Sequence, residues 1–153
     1  MQLVIPRETQ PGENRVSATP ETVKKLVRLG AEVVIEAGAG TGAGISDADY
    51  EAAGASIGSD RGALLAGADM VLRLRKPDIE EIGQLKSGCI HVSYLDPFNE
   101  QDLIKAFASQ NVTAVSMEMI PRSTRSQKMD ALSAQANLAG YVAVMLAANH
   151  MPR

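Results

Sequence analysis

The segment TPETVKKLVRLGAEVVIE, residues 19–36, shows the alternation of helix and strand that decides the fold. Thr19 is a capping residue, and Pro20 takes the first helical position, where its missing N–H costs nothing. Apolar residues then recur at the helical period until Gly30 ends the helix; they are Val23, Leu26 and Val27. The run Glu32–Glu36 follows with three consecutive β-branched residues, which predicts a buried strand.

The same alternation extends over the rest of the chain. Further strands are predicted at residues 3–6, 69–75, 89–95 and 111–117. Helices are predicted from Ser46 or Asp47 to about Gly54, from Asp60 to Gly67, for a short distance from Asp78, and from Asn99 to Ser109. Strands that alternate with helices in this way are typical of an α/β fold. We therefore expect an open, mainly parallel, Rossmann-like sheet with helices on both faces.

The last part of the chain predicts a long buried helix. Apolar residues recur at spacings of three and four, and a second apolar set makes the later turns apolar almost all round. A helix of this kind is typically buried on several sides. We expect it to begin near Ser126, and we divide the chain into an α/β domain at residues 1–130 and a long helix at residues 130–153.

Polar side chains collect where this helix is predicted to begin. Four of them are spaced to share one side of its first turns, at Gln127, Asp130, Ser133 and Asn137. Arg122 and Arg125 precede them. A helix start offers unpaired N–H groups and positive potential, so this pattern can hold a polar ligand. A capped helix, with Ser126 or Thr124 as the cap and solvated arginines, explains the same pattern.

Length and composition narrow the class of protein. A chain of 153 residues can bury a proper core as one domain, and 45% hydrophobic with 22% charged residues is the composition of a soluble globular protein. The net charge of −3 gives no support for nucleic-acid binding. One cysteine excludes an internal disulfide framework, and the sequence offers no metal-ligand spacing. The longest apolar run, residues 138–148, is about half of a membrane span, so direct membrane insertion is not expected.

The polar start of the last helix also carries a family signature. The runs MIPR, residues 119–122, and RSQKMDALSAQANLAGY, residues 125–141, resemble the NAD-binding alpha subunit of proton-translocating nicotinamide nucleotide transhydrogenase. Residues 5–20 resemble both that family and the alanine dehydrogenases. The resemblance covers the whole chain and implies that it is the N-terminal half of the NAD-holding domain I of the subunit.

The resemblance also implies a reaction and a site. Hydride passes from NADH on this subunit to NADP+ on a partner subunit, coupled to proton translocation through membrane subunits. Arg122, Asp130 and Ser133 are expected on the nicotinamide and its carboxamide, and Gln127 at the catalytic junction with the partner nucleotide. No metal is implied. Expected partners are a second NAD-binding domain, the NADP-binding and membrane subunits, and a second copy in a homodimer. The location is cytoplasmic, peripheral to the inner membrane, and the isolated chain is expected to be inactive.

Two other functions remain open. One is an amino-acid oxidoreductase of the alanine dehydrogenase kind, and the other is a non-catalytic assembly fragment. In alanine dehydrogenases the arginine at the Arg15 position holds the substrate carboxylate, a catalytic lysine follows in a Lys-x-Lys-x-Pro strand end, and a histidine follows the next strand. The gapless match places Arg75 and Asp96 at those last two positions. A guanidinium is a poor acid–base group near neutral pH. Lys76 and His91 are possible substitutes, although a structural role is favoured for each.

A glycine-rich segment, residues 37–44, imitates a dinucleotide loop. Gly38-x-Gly40-x-x-Ala43 fits the relaxed fingerprint. In that motif the helix opens within the glycines, so that its N-terminus meets the pyrophosphate. Here the helix signals begin only at Ser46 and Asp47, which favours a turn-forming role over phosphate binding.

Overall fold

The computed structural model describes residues 1–151. Pro152 and Arg153, which the sequence assigns to the end of the long helix, lie outside the described residues. The chain divides into two compact units, Met1–Ser116 and a second unit that begins at Met117. Because each unit is described by itself, the domain boundary at residue 130 stays a prediction.

The first unit is built on a parallel sheet of six strands in the order β3-β2-β1-β4-β5-β6. The strands are β1 Gln2–Ile5, β2 Glu32–Glu36, β3 Ser56–Gly58, β4 Met70–Leu72, β5 Ile90–Ser93 and β6 Thr113–Ser116. The helices of this unit are α1 Pro20–Arg28, α2 Asp47–Ala52, α3 Arg61–Gly67, α4 Ile79–Ile82 and α5 Gln101–Ser109. The predicted α/β class, parallel sheet and helix positions are confirmed.

Alternate residues of the central strands supply two separate cores. On one face, Leu3 and Ile5 of β1 pack with Val23 of α1 and Tyr50 of α2. On the other face, the core joins strands to α3, α4 and α5, through Val4, Val34, Val71, Leu65, Ile82, Leu103 and Phe107. Successive side chains of a strand point to opposite faces, so each short apolar run serves both cores. Helices therefore cover both faces of the sheet, as predicted.

Strand β3 was not predicted from the sequence. Its residues, Ser56–Gly58, contain one large apolar side chain, and they lie at the edge of the sheet, paired only with β2. A strand this short has no periodicity to detect. The other difference is length: β4 ends at Leu72, before Arg73, Leu74 and Arg75, which the sequence pattern assigns to the same strand.

The order of the strands places β1 between β2 and β4. The chain moves from β1 outward to β2 and β3 and then crosses to β4 on the other side. In open α/β sheets ligands bind outside the carboxyl ends of the strands at such a reversal. The loops after β1, β2 and β4 are therefore the part of this unit where functional side chains are expected.

The second unit contains a long helix, α6, Ala131–His150. The expectation of a buried helix is wrong for this structure: none of its described side chains is buried. Large apolar residues such as Leu138, Tyr141 and Val144 are 60%, 68% and 68% exposed. The helix is apolar almost all round, as predicted, but its apolar side chains are left open to solvent.

The start of α6 also differs from the prediction. Gln127–Met129 forms a short 3-10 turn, and Asp130 caps the helix, so α6 begins at Ala131 and not near Ser126. The reason lies in the side chains. The Ser126 hydroxyl is bonded within the preceding loop, to Pro121 and Ser123, whereas the Asp130 carboxylate accepts from the Ser133 amide at 2.9 Å.

By length and composition alone, Ala131–His150 is long and apolar enough to cross a membrane. The apolar run at residues 138–148 underestimates this length, because the uncharged polar residues of the first turns also count. Core helices of soluble proteins meet the same criterion, so the finding does not assign the helix to a membrane.

His91 is a buried ionisable group inside the second core. Its ring lies 5.0 Å from that of Phe107, centroid to centroid, and the residue is 1% exposed. Within residues 1–151, neither ring nitrogen has a hydrogen-bond partner. Burial, assisted by the charge of Arg73, lowers the pKa of His91 to about 3. The core therefore holds this ring neutral, and the structural role favoured from the sequence fits its position.

This burial predicts a loss of stability in weak acid. Unfolding returns His91 to a pKa of about 6.5, so the unfolded state takes up a proton below that pH and the folded state does not. The free energy of unfolding should fall by about 2 kcal/mol between pH 7 and pH 5. Urea unfolding of a His91→Leu variant should lose this dependence, while His150→Gln, at an exposed histidine, should keep it. An unchanged pH dependence in His91→Leu would show that other groups cause it.

Candidate functional site

The residues predicted to hold the nicotinamide lie in the loop and turn that precede α6. Arg122, Gln127 and Asp130 line one open concavity of about 310 Å³, together with Ser123 and Thr124. The structure therefore brings three of the four predicted residues together. Ser133 is not part of the lining, but it is bonded to Asp130.

The Asp130 carboxylate is the central group of this concavity. Oδ1 accepts from the Ser133 amide at 2.9 Å, and Oδ2 accepts from the Ser133 hydroxyl at 2.6 Å. These bonds, with a smaller contribution from the charge of Arg122, lower the pKa of Asp130. Asp130 is therefore an ionised N-cap, and Ser133 acts through it. A capped helix explains the two bonds between Asp130 and Ser133. In addition, Asp130 forms part of the wall of the concavity.

The chemistry of the concavity suits a neutral polar group. Arg122 can only donate hydrogen bonds, ionised Asp130 can only accept them, and the Gln127 amide can do both. A carboxamide offers an acceptor oxygen and two N–H donors, so it matches this set without any net charge. Each carboxylate oxygen of Asp130 has more than one lone pair, so its bonds to Ser133 do not use up its accepting capacity.

A second polar cluster surrounds Glu13 at the carboxyl ends of β1 and β4. Its carboxylate is 4% exposed and accepts from Arg15 Nε at 2.7 Å, from Arg15 Nη2 at 2.6 Å and from Arg75 Nε at 2.8 Å. The bonds from Arg15, followed by those from Arg75, lower the pKa of Glu13 to about 2. A cavity of about 240 Å³ adjoins this cluster, lined by Glu13, Arg15, Arg7, Glu8, Asn14 and the glycine-rich segment.

Glu13, the common partner of Arg15 and Arg75, was not predicted from the sequence, which suggested a role only for each arginine separately. The spacing of Arg15 and Arg75 along the chain gives no sign that they share a partner, because Arg15 lies on the loop after β1 and Arg75 on the loop after β4. The signal that was available is topological: loops after neighbouring parallel strands meet at one edge of the sheet.

A partly buried chain of ion pairs near this cluster was also not predicted from the sequence. Arg61 bridges Glu36, at 2.5 Å, and Glu81, at 2.6 Å, and Glu81 also pairs with Arg73 at 2.8 Å. Burial acts to raise the pKa of Glu81, but the bonds from the two arginines outweigh it and the pKa is lowered. The chain of ion pairs ties the ends of β2 and β4 to the starts of α3 and α4, so it holds the loops that carry the Glu13 cluster.

The remaining candidates are each bonded to another side chain. Lys76 pairs with Glu100 at 2.5 Å. The Asp96 carboxylate accepts from the Asn99 side chain at 2.9 Å, in a turn where Asp96 has a φ of 53°. Residues 1–151 hold no group of three or more His, Cys, Asp or Glu side chains arranged for a metal ion.

In the glycine-rich segment, the Gly38 amide is occupied by a carboxylate. Both oxygens of Asp47 accept from the Gly38 amide, at 2.9 and 3.1 Å. α2 begins only at Asp47, as the helix signals predicted. A Cβ on Gly42 would lie 2.9 Å from the carbonyl oxygen of Asn14, and one on Gly40 would lie 2.8 Å from that of Ile45. Close approach of another backbone therefore explains Gly40 and Gly42, and a φ of 73° explains Gly38 and Gly44.

Comparison with known proteins finds the same two families that the sequence resembles. The family model described as "Alanine dehydrogenase/PNT, N-terminal domain" matches residues 4–139. A protein of Rhodospirillum rubrum, named as the first part of the alpha subunit of NAD(P) transhydrogenase, is 43% identical over 150 residues, which is 95% of this chain and 39% of that protein. An alanine dehydrogenase of Halomonas elongata is 33% identical over 153 residues, 100% of this chain and 41% of that protein.

A solved structure agrees with these relatives. The crystal structure of transhydrogenase from Sinorhizobium meliloti superimposes on this chain with a TM-score of 0.94 at 44% sequence identity. The match covers 100% of this chain and 46% of the other chain. The chain therefore spans less than half the length of each of these relatives.

The close packing of the glycine-rich segment predicts a specific loss of stability. Gly42→Ala should lower the free energy of unfolding by about 1–3 kcal/mol, because the new methyl group meets backbone atoms of the Asn14 loop. Gly62→Ala is the matched control. Gly62 lies within α3, and a Cβ there would be 3.5 Å from its nearest neighbour, Oδ1 of Asp60, which is an ordinary contact distance. Alanine at this position should therefore be neutral or stabilise the protein by up to about 1 kcal/mol. Denaturant unfolding measures both, and equal effects would contradict the packing argument.

Proposed function

The chain belongs to the alanine dehydrogenase/PNT N-terminal domain family, and from this premise we propose that it is the N-terminal part of the NAD(H)-binding subunit of a proton-translocating transhydrogenase. The observation that carries the proposal is the shared concavity of Arg122, Gln127 and Asp130. The transhydrogenase relatives support it, since the Rhodospirillum protein is 43% identical and the Halomonas alanine dehydrogenase 33%. Because the chain spans 39% of the Rhodospirillum relative, the complete activity requires the rest of that subunit.

The residues of this chain fit a nicotinamide carboxamide. When bound, the dihydronicotinamide supplies a hydride, which passes to NADP+ held by a partner subunit. Arg122 donates to the carboxamide oxygen, and Asp130 accepts from its N–H groups, so the plane of the ring is fixed. Ser133 positions the Asp130 carboxylate. A hydride transfer between two nicotinamides needs no general acid, and orientation is the main contribution that a protein can make.

Gln127 has a separate proposed role. Its amide lies on the wall of the same concavity, in the turn ahead of the Asp130 cap. We assign it to the junction with the partner nucleotide, where an amide can bridge two carboxamides by donating to one and accepting from the other. The proposed partners are the second NAD-binding domain and the NADP-binding and membrane subunits, and this assembly places the chain on the cytoplasmic side of the inner membrane.

The alanine dehydrogenase alternative is less consistent with the geometry. At the lysine position, Arg75 is bonded to Glu13, and at the histidine position Asp96 is bonded to Asn99. An arginine stays protonated at neutral pH, so the lysine position of this chain does not offer the proton transfer that oxidation of an amine requires.

Hydride transfer tests the proposed site. In a subunit completed with the C-terminal remainder of the Rhodospirillum rubrum relative, Arg122→Ala and Asp130→Asn should each slow single-turnover transfer from NADH to an NADP+ analogue about ten- to a hundredfold. The reason is the loss of one charge-assisted bond, worth about 1.5–3 kcal/mol. Gln127→Asn should slow the transfer with little loss of NADH affinity.

The controls separate catalysis from folding. Asparagine is as good an N-cap as aspartate, so Asp130→Asn should leave α6 intact. Arg125→Ala removes a nearby arginine that is not among the residues lining the concavity, and should leave the rate unchanged. Near-wild-type rates in both Arg122→Ala and Asp130→Asn would show that the concavity is only the capped start of a helix and not a binding site.

The same completed subunit should not oxidise alanine. With alanine and NAD+, NADH formation followed by absorbance should stay at the level of a blank without substrate, because Arg75 and Asp96 occupy the acid–base positions. The Halomonas elongata alanine dehydrogenase serves as the positive control. Alanine-dependent NADH formation clearly above the blank would favour the alternative function.

A further inference from the structure

Ser126 is a buried polar residue in the loop ahead of α6. It is 7% exposed, and among residues 117–151 it is the one residue that is buried. The loop, residues 120–126, lies between the 3-10 turns Met117–Met119 and Gln127–Met129, so neither a helix nor a strand fixes its backbone. Hydrogen bonds inside the loop must therefore give it one conformation.

The Ser126 hydroxyl is the centre of these bonds. It donates to the carbonyl oxygen of Pro121 and accepts from the Ser123 amide at 3.1 Å. The hydroxyl oxygens of Ser123 and Ser126 lie 2.7 Å apart, and because the Ser126 proton is directed to Pro121, the Ser123 hydroxyl is the donor between them. A hydroxyl has one proton and two lone pairs, so the Ser126 hydroxyl is fully used within the loop. We call this set, Pro121, Ser123 and Ser126, the hydroxyl latch.

The hydroxyl latch encloses a residue that is proposed to hold the nicotinamide. Arg122 lies between Pro121 and Ser123, which are both bonded to Ser126, and Gln127 follows Ser126 directly. The Ser123 amide also donates to the Pro121 carbonyl at 3.0 Å. The peptide units on both sides of Arg122 are therefore held, and they set the direction in which its side chain leaves the backbone.

We propose that Ser126, through the hydroxyl latch, is a positioning residue that orders Arg122 and Gln127 before the nicotinamide binds. The inference rests on the proposed function, because it takes these two residues to contact the nucleotides. Ser126 is not among the residues lining the concavity, so it acts through the backbone. A site whose loop is ordered in advance binds more tightly, because binding need not restrict the loop further.

Tryptic cleavage measures the order of the loop without a bound nucleotide. In the subunit completed with the C-terminal remainder of the Rhodospirillum rubrum relative, Ser126→Ala should speed cleavage after Arg122 and Arg125 about three- to tenfold. The reason is that the loss of these bonds makes the locally opened loop more populated by that factor. Ser123→Ala should have a smaller effect, since it keeps the bonds of the Ser126 hydroxyl to Pro121 and to the amide of residue 123.

Two controls separate loop order from global unfolding. Ser109→Ala, at an exposed serine of α5, is the matched substitution and should leave cleavage of the loop unchanged. Cleavage after Arg28, the last residue of α1, reports on the first unit and should be equal in all variants.

Binding and transfer separate positioning from catalysis. Without the hydroxyl latch, NADH itself must order the loop. In Ser126→Ala the dissociation constant of NADH, measured by calorimetric titration, should therefore rise about three- to tenfold. Single-turnover transfer at saturating NADH should stay within about twofold, because the bound state is the same. Arg122→Ala removes a group that contacts the nicotinamide, so it slows the saturated transfer instead.

The possible failures are distinguishable. Equal cleavage of Ser126→Ala and the unsubstituted subunit would show that the hydroxyl latch does not order the loop. Faster cleavage with unchanged NADH affinity, where Arg122→Ala still slows the transfer, would overturn this inference and leave the proposed function in place. A saturated rate that falls as far in Ser126→Ala as in Arg122→Ala would place the effect in the bound state and would overturn the ordering before binding. Near-wild-type transfer in both Arg122→Ala and Asp130→Asn would overturn the proposed function, and this inference with it.

Discussion

The burial of β1 on both faces is the constraint on which the rest of the structure depends. Leu3, Val4 and Ile5 are at most 2% exposed, and the strand pairs with β2 on one edge and β4 on the other. Full burial of side chains of this kind is worth about 1.5–3 kcal/mol each. Because these residues belong alternately to the two cores, helices must pack on both sides of β1, and the chain must cross from one face to the other beside it.

This crossing determines where charge is placed. The loops that leave β1, β2 and β4 end together at one edge of the sheet, and they carry Glu8, Glu13, Glu36 and Arg73. The apolar sheet lies below them, so their charges are partly removed from water and must be paired. From α3 and α4, Arg61 pairs with Glu36 and Glu81 pairs with Arg73, whereas Glu13 is paired with Arg15 and Arg75. The family resemblance pointed to Arg15 and Arg75 as single residues, but the structure shows that both are bonded to one carboxylate, that of Glu13.

The fold was predictable from the sequence to a large extent, because strong local signals agree with it. Thr19, Ser46 and Asp60 cap their helices, and the short apolar runs of β1 and β2 fit buried strands. What could not be predicted lacks a local signal. β3 is too short to show periodicity, and Glu13 contacts Arg75 only because the topology brings their loops together. Ser126 and Asp130 are both good capping residues by type, and only the structure shows that Ser126 is bonded within the preceding loop. The predicted site residues are brought together for the same reason that they were recognised, since they are close in sequence.

Asp130 has two roles in the second unit. One carboxylate both caps α6 and forms part of the wall of the concavity ahead of it, so the helix start and the pocket share one side chain. A molecule that strengthens the ionised form of Asp130 also strengthens the first turn of α6, and one that withdraws the carboxylate lets that turn fray. Displacement of the carboxylate would therefore remove one N-cap, worth about 0.5–2 kcal/mol, from a helix of twenty residues. The polarity of the concavity and the stability of the first turn of a rod about 30 Å in length thus depend on the same side chain.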